Sequence, residues 1–87
     1  MDTEQIRAKA LAIKNATNHL LGNMPAAMYP GGIANWYPGA RCDTVYWQPD
    51  DDGYLVHVAK VDSQRLADYL RDELTRQGYE ADVMTEW

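Results

Sequence analysis

Few side chains in this 87-residue sequence could do chemistry: one cysteine, Cys42, two histidines, His19 and His57, and the carboxylate run Asp50-Asp51-Asp52. A thiol beside an imidazole can be activated as a nucleophile, and Cys42 and His57 fall on neighbouring segments that could meet. A thiol on an apolar strand margin more often behaves as a small, inert hydrophobe, and that is expected here. His19 falls on a helix and His57 on a separate strand, with no cysteine pair and no H-E-x-x-H spacing. Both are expected to be structural or solvated. Asp50-Asp51-Asp52-Gly53 superficially resembles a calcium loop. Aligning Gly53 with the obligatory glycine of such a loop puts Gln48 at the first ligand position and Ala59 where a bidentate glutamate is required. The run reads instead as a solvated acidic turn. Gly31-Gly32 lacks the following Lys of a phosphate-binding loop. No catalytic site, metal or cofactor is expected, and the chain reads as non-enzymatic.

A second kind of chemistry is recognition. The stretch Met24 to Cys42 holds Tyr29, Ile33, Trp36 and Tyr37 among three prolines and three glycines. Tyr29-Pro30-Gly31-Gly32 and Tyr37-Pro38-Gly39-Ala40 each read as a type II turn, with proline fixing φ and glycine supplying the positive φ that follows. So long a connection with so many large side chains is too apolar for a solvated linker. Its aromatics either fold back to complete the core or present a partner-binding patch, since Trp and Tyr dominate interface energetics. Trp36, Tyr37 and Tyr46 could also stack a small ligand. The acids least compensated by neighbours are Asp50, Asp51 and Asp52, then Glu80, Asp82 and Glu86, and they join the loop residues as candidate contacts.

The elements that must position these residues follow from periodicity. Ile6, Ala10, Ile13, Thr17, Leu20 and Leu21 recur at helical spacing, so a helix is expected over 3–21, with Asp2 and Gln5 as a capping box. Gly22 stands where a left-handed closing residue belongs. Leu11 lies off the apolar stripe. Residues 23–42 read as irregular, and strands are expected over 43–48 and 54–61, joined by the acidic turn. In the second strand Tyr54, Val56 and Val58 oppose Leu55, His57, Ala59 and Val61. Both sets are mostly apolar, so the strand should be central and at least partly covered on both sides. A second helix is expected from Asp62 as N-cap, with Val61 and Leu66 as a staple, to Gly78 and Tyr79 as a Schellman ending. Leu66, Ala67, Leu70 and Leu74 form its buried stripe. Asp68 with Arg71 and Asp72 with Arg76 should pair locally. Residues 79–87 alternate as an edge strand with one wet face. The resulting order is α-β-β-α-β: an α+β domain with a three-stranded mixed sheet, both helices on one face, and a right-handed crossover through helix two. Whether the third strand pairs with the first or the second is left open.

Length and composition bound the function. Residues 1–87 make one small domain with 46% apolar and 24% charged residues. One cysteine excludes an internal disulfide, no secretory signal or membrane span is visible, and a cytoplasmic setting is expected. The net charge of −5 is uneven: residues 1–42 balance to +2 and residues 43–87 to −7. An acidic half repels phosphate, which argues against direct nucleic-acid binding and favours a basic protein surface. The function expected is a protein-binding module, an acidic inhibitor or adaptor that occupies a surface of a larger partner. By an analogy of size and charge alone it could be a small phage or mobile-element inhibitor of a host defence complex, its acidic half mimicking nucleic acid for a basic partner groove. The alternatives are a homodimer or assembly subunit, and a small-ligand binder.

Overall fold

The computed structural model describes residues 2–87. Helix α1 (Thr3–Leu21) is started by Asp2, whose carboxylate accepts from the Gln5 amide at 2.8 Å. Its apolar stripe turns Ile13, Thr17 and Leu21 into the core and leaves Leu11 in solvent. The buried Thr17 hydroxyl donates to the Ile13 carbonyl at 2.7 Å, so its burial leaves no orphan donor. Gly22 departs from expectation. Its φ of −76° is right-handed, because the Gly22 and Asn23 amides still donate to the Asn18 and Leu20 carbonyls and the helical path runs on.

Strands β1 (Arg41–Gln48), β2 (Gly53–Ala59) and β3 (Ala81–Glu86) form one sheet in the order β1-β2-β3. The first pair is antiparallel and the second parallel, so β3 joins the second strand and β2 is central. Tyr54, Val56 and Val58 point into the core with Val45 and Trp47 from β1 and Ala81 and Val83 from β3. Leu55, His57 and Ala59 point away. Val61 was expected on their side but is fully buried, because Lys60 takes a φ of +69° and breaks the alternation one residue earlier. The hairpin turn is a short 3-10 segment, Pro49–Asp51. Its left-handed residue is Asp52, at φ 48°.

Helix α2 (Gln64–Arg76) carries the parallel crossover. Its N-cap is Ser63, whose Oγ accepts from the Leu66 amide at 3.2 Å, one residue past the expected Asp62. Val61 and Leu66 therefore share the core without the spacing of a formal staple. The far end is a full Schellman motif: Tyr79 N–H donates to Leu74 O, Gly78 N–H to Thr75 O, and Gly78 takes φ 91°. Leu66, Ala67, Leu70 and Leu74 are all buried as the spacing requires. On the solvent side Arg71 reaches Asp68 at 3.5 Å. Arg76 pairs with Glu73 at 3.1 Å instead of Asp72, which approaches Arg71.

Both helices lie on the Tyr54–Val56–Val58 face, α1 over β1 and α2 over β3. The aromatic loop caps the end of this layer. Its two Tyr-Pro-Gly turns form as the sequence requires, each closed by an amide donating back to the tyrosine carbonyl, with Gly31 at φ 83° and Gly39 at φ 85°. Tyr29 and Ile33 sink into the core, and the Tyr29 hydroxyl lies 3.3 Å from Ser63 Oγ at the start of α2.

Candidate functional site

The sheet face turned away from the helices is a lattice of outward side chains fixed by the strand register. One row runs Tyr46, Leu55, Asp82, and the next Thr44, His57, Met84. The last runs Arg41, Ala59, Glu86. Directly opposed residues on neighbouring strands point the same way, so these nine share one surface. Tyr46 is 50% exposed and Met84 39%, with Leu55 half-buried between them. The expected cover on this side of β2 is thus thin: its outward residues are half-buried, and large apolar side chains flank them in solvent.

At the centre of the lattice β1 bulges. The register skips Asp43, so Asp43 and Thr44 both project outward between the core-facing Cys42 and Val45. Asp43 Oδ1 then sits 2.6 Å from His57 Nδ1, while Glu86 Oε2 lies 2.9 Å from Nε2. One imidazole thereby bridges all three strands. Both ring nitrogens face carboxylates, so the doubly protonated ring is the form that satisfies the site, and these hydrogen bonds raise the His57 pKa against the opposing pull of burial. Burial alone would raise the Asp43 carboxyl, but the hydrogen bond and charge of His57 together outweigh it and hold it below its ordinary value.

Cys42 and His57 do not meet. Cys42 pairs with Val58 and is buried on the helix side, whereas His57 is on the outward face. Burial pushes the thiol up to about 11, with Lys14 pulling against it. The Cys42 backbone on the outer edge of β1 is closed by the Asn18 side chain of α1. Asn18 Oδ1 accepts from the Cys42 amide at 2.8 Å, and Asn18 Nδ2 donates to its carbonyl at 3.2 Å. This edge is blunted against further pairing there.

The two acidic runs converge at the hairpin end. Tyr54 N–H donates to Glu80 O at 3.0 Å, which brings Glu80 and Asp82 beside the Asp50–Asp52 turn around a shallow cleft of about 170 Å³. Glu86 belongs elsewhere, on His57. The aromatics gather at the opposite end of β2, about 20 Å away at 3.3 Å per strand residue. There Tyr29 and Ile33 are 5% and 7% exposed, Tyr37 is half-buried against Trp87, and Trp36 is 55% exposed. Trp36 is also tied down, its Nε1 donating to Pro30 O at 3.0 Å. Tyr37 packs on the core side and Tyr46 stands on the outward face, so Trp36, Tyr37 and Tyr46 do not converge into a cleft.

Among the described residues no helix is long and apolar enough to cross a membrane, and no group of His, Cys, Asp and Glu is disposed to hold a metal. Asp43, His57, Leu55 and Met84 were not among the expected contact residues. The signal for Leu55 and His57 was present in the alternation of β2. The signal for Asp43 was not, because a bulge leaves no mark in the spacing. Searches of protein-family models, curated proteins and solved structures find no match to this chain.

Proposed function

We propose that this chain is a non-enzymatic protein-binding module that docks through the outward face of its sheet onto a larger partner. The observation that carries this reading is the group formed by exposed Tyr46 and Met84 with half-buried Leu55 on the side that no helix covers. Contiguous apolar surface rimmed by polar residues is what association faces are made of, and aromatic and Met side chains are enriched there. Asp82 stands at one end of this group, and the Asp43–His57–Glu86 bridge borders it at the other. A basic surface suits these acids. His57 has both ring nitrogens occupied and so has no free nitrogen to act as a base, which supports binding over turnover. An inhibitor or adaptor of this size acts by covering a partner's surface.

Site-specific photo-crosslinking tests the reading. A benzoylphenylalanine replacing Tyr46 should give a discrete heterologous adduct in cells of the native source, and the same group replacing Leu11 on α1 should not. Adducts from position 11 alone, or only a self-adduct from position 46, would overturn it.

A further inference from the structure

We infer that the partner element seated on the sheet is a basic amphipathic α-helix, with its apolar stripe on Tyr46, Leu55 and Met84 and its Lys and Arg residues clustered over the hairpin end. The inference rests on the docking role proposed above and names what docks. Two considerations carry it, shape and charge. The outer strands stand about 10 Å apart, two strand spacings, and the central strand runs about 20 Å. One α-helix is about 10–12 Å across with side chains, and about 13 residues of it span 20 Å. The face therefore has room for a single helix, and seating it would complete a helix–sheet–helix sandwich, the layering that covers a sheet on both sides.

Charge sets where its basic residues lie. At the hairpin end Asp82 projects from the face itself, and Asp50, Asp51, Asp52 and Glu80 surround it, all exposed. Lys9 is the base that borders this cluster, in a cleft with Asp52 and Glu80. At the other end Arg41 stands in the last row and Lys60 follows β2, both exposed, while Asp43 and Glu86 are engaged by His57. The face is acidic at one end and balanced at the other. Lysines spread along a docked helix would meet Arg41 and Lys60, whereas lysines at the hairpin end meet Asp82 and its neighbouring carboxylates, Lys9 being carried by α1 on the other side of the sheet. A second copy offers no such helix: α1 and α2 already spend their apolar stripes in the core.

The test uses the full chain and two synthetic amphipathic peptides of about 14 residues. Both carry leucines at i, i+3, i+4 and i+7; one has lysines clustered at one end, the other glutamates in their place. Amide shift mapping of the lysine peptide should mark Leu55, His57, Asp82 and Met84, and the glutamate peptide should bind at least about tenfold more weakly. Met84→Lys and Tyr46→Lys, both at exposed positions, should each weaken the lysine peptide by about tenfold, and Trp36→Ala should leave it unchanged; one such discrimination is about 1.4 kcal/mol. Equal affinity for the two peptides would overturn the proposal, as would shifts confined to the aromatic loop or to the outer edge of β3, the signature of strand addition. If the Tyr46 crosslink forms and the lysine peptide fails, the docking role stands and the helix is wrong. If both fail, both fall.

Discussion

Nδ1 of His57 lies 2.6 Å from Oδ1 of Asp43, a contact that a regular β1 would not make. With Thr44 opposite His57, strict alternation would turn Asp43 to the helix side, where an unpaired carboxylate is costly. The bulge re-aims it outward and places two strand carboxylates on one ring, with Glu86 completing the bridge from the parallel neighbour. A charged group thus ties the edge strands to the centre on the face with the least packing to hold them.

That bridge makes stability depend on pH in a defined sense. The folded pKa of His57 lies above its ordinary 6.5, so its contribution is full below 6.5 and is lost as pH rises through the folded value. Asp43 lies below its ordinary 3.8, so its contribution is full above 3.8 and is lost as pH falls through the folded value. The urea midpoint should therefore be highest between these limits and decline on the alkaline side as pH rises through the folded His57 value. His57→Gln should flatten that decline and cost about 1–2 kcal/mol near pH 6, in the range of partly exposed charge-assisted hydrogen bonds. A midpoint that follows pH identically in both proteins would show that the bridge stabilises nothing.

The start of α2 can be assigned by substitution. Ser63→Ala removes the acceptor for the Leu66 amide and should cost about 1 kcal/mol, while Asp62→Ala should change stability by less than about 0.5 kcal/mol. Chemical denaturation of the two variants checks the order. A larger loss at Asp62 would move the cap back to the position the spacing first suggests.

What could be read from residue types alone was local. The Schellman ending at Gly78 and Tyr79, the two Tyr-Pro-Gly turns and the apolar stripe of α2 each depend on a few adjacent residues, and all are present. The candidate face is not local. Alternation says that Leu55 and His57 share a side, but not which strand lies beside them, and the parallel pairing of β3 with β2 is what brings Glu86 to His57. Asp43 reads as the first residue of a strand because a bulge inserts one residue without any special composition. Asp62 and Ser63 are both good caps, and only the path of the chain after Lys60 chooses between them. The aromatic loop shows the same limit: its residues announce burial, but not that Tyr29 and Ile33 would take the inside and Trp36 the outside.

Three glycines should respond to alanine according to their φ. Gly22 is right-handed, and a Cβ there would make only ordinary contacts, so Gly22→Ala should stabilise by about 0.5 kcal/mol through the unfolded chain. Gly78 has φ 91° with open space around it, so its alanine variant pays for backbone strain alone, about 1 kcal/mol. Gly31 has φ 83°, and the only close contact a Cβ would meet is the end of the exposed Asn35 side chain, which can turn aside, so its cost is also that of backbone strain, about 1 kcal/mol. Thermal melts should place Gly22→Ala above wild type and both Gly78→Ala and Gly31→Ala below it. Destabilisation by Gly22→Ala would mean that the helix ends in a left-handed turn after all.

Cys42 offers a direct check on the reading of this chain as a binder. Its thiol is buried and raised from 9.0 to about 11, so at pH 8 the thiolate is about a hundredfold scarcer than in the unfolded chain, before access is considered. Labelling by a disulfide reagent should therefore be at least about 100-fold slower in the native protein than in urea. The His57→Gln variant makes the comparison diagnostic. If His57 activated the thiol, removing the imidazole would slow labelling. The two side chains lie on opposite faces of the sheet, so labelling in the variant should be no slower, and faster only to the extent that lost stability opens the core more often. Slower labelling in the variant would place the thiol and imidazole together and restore the nucleophile.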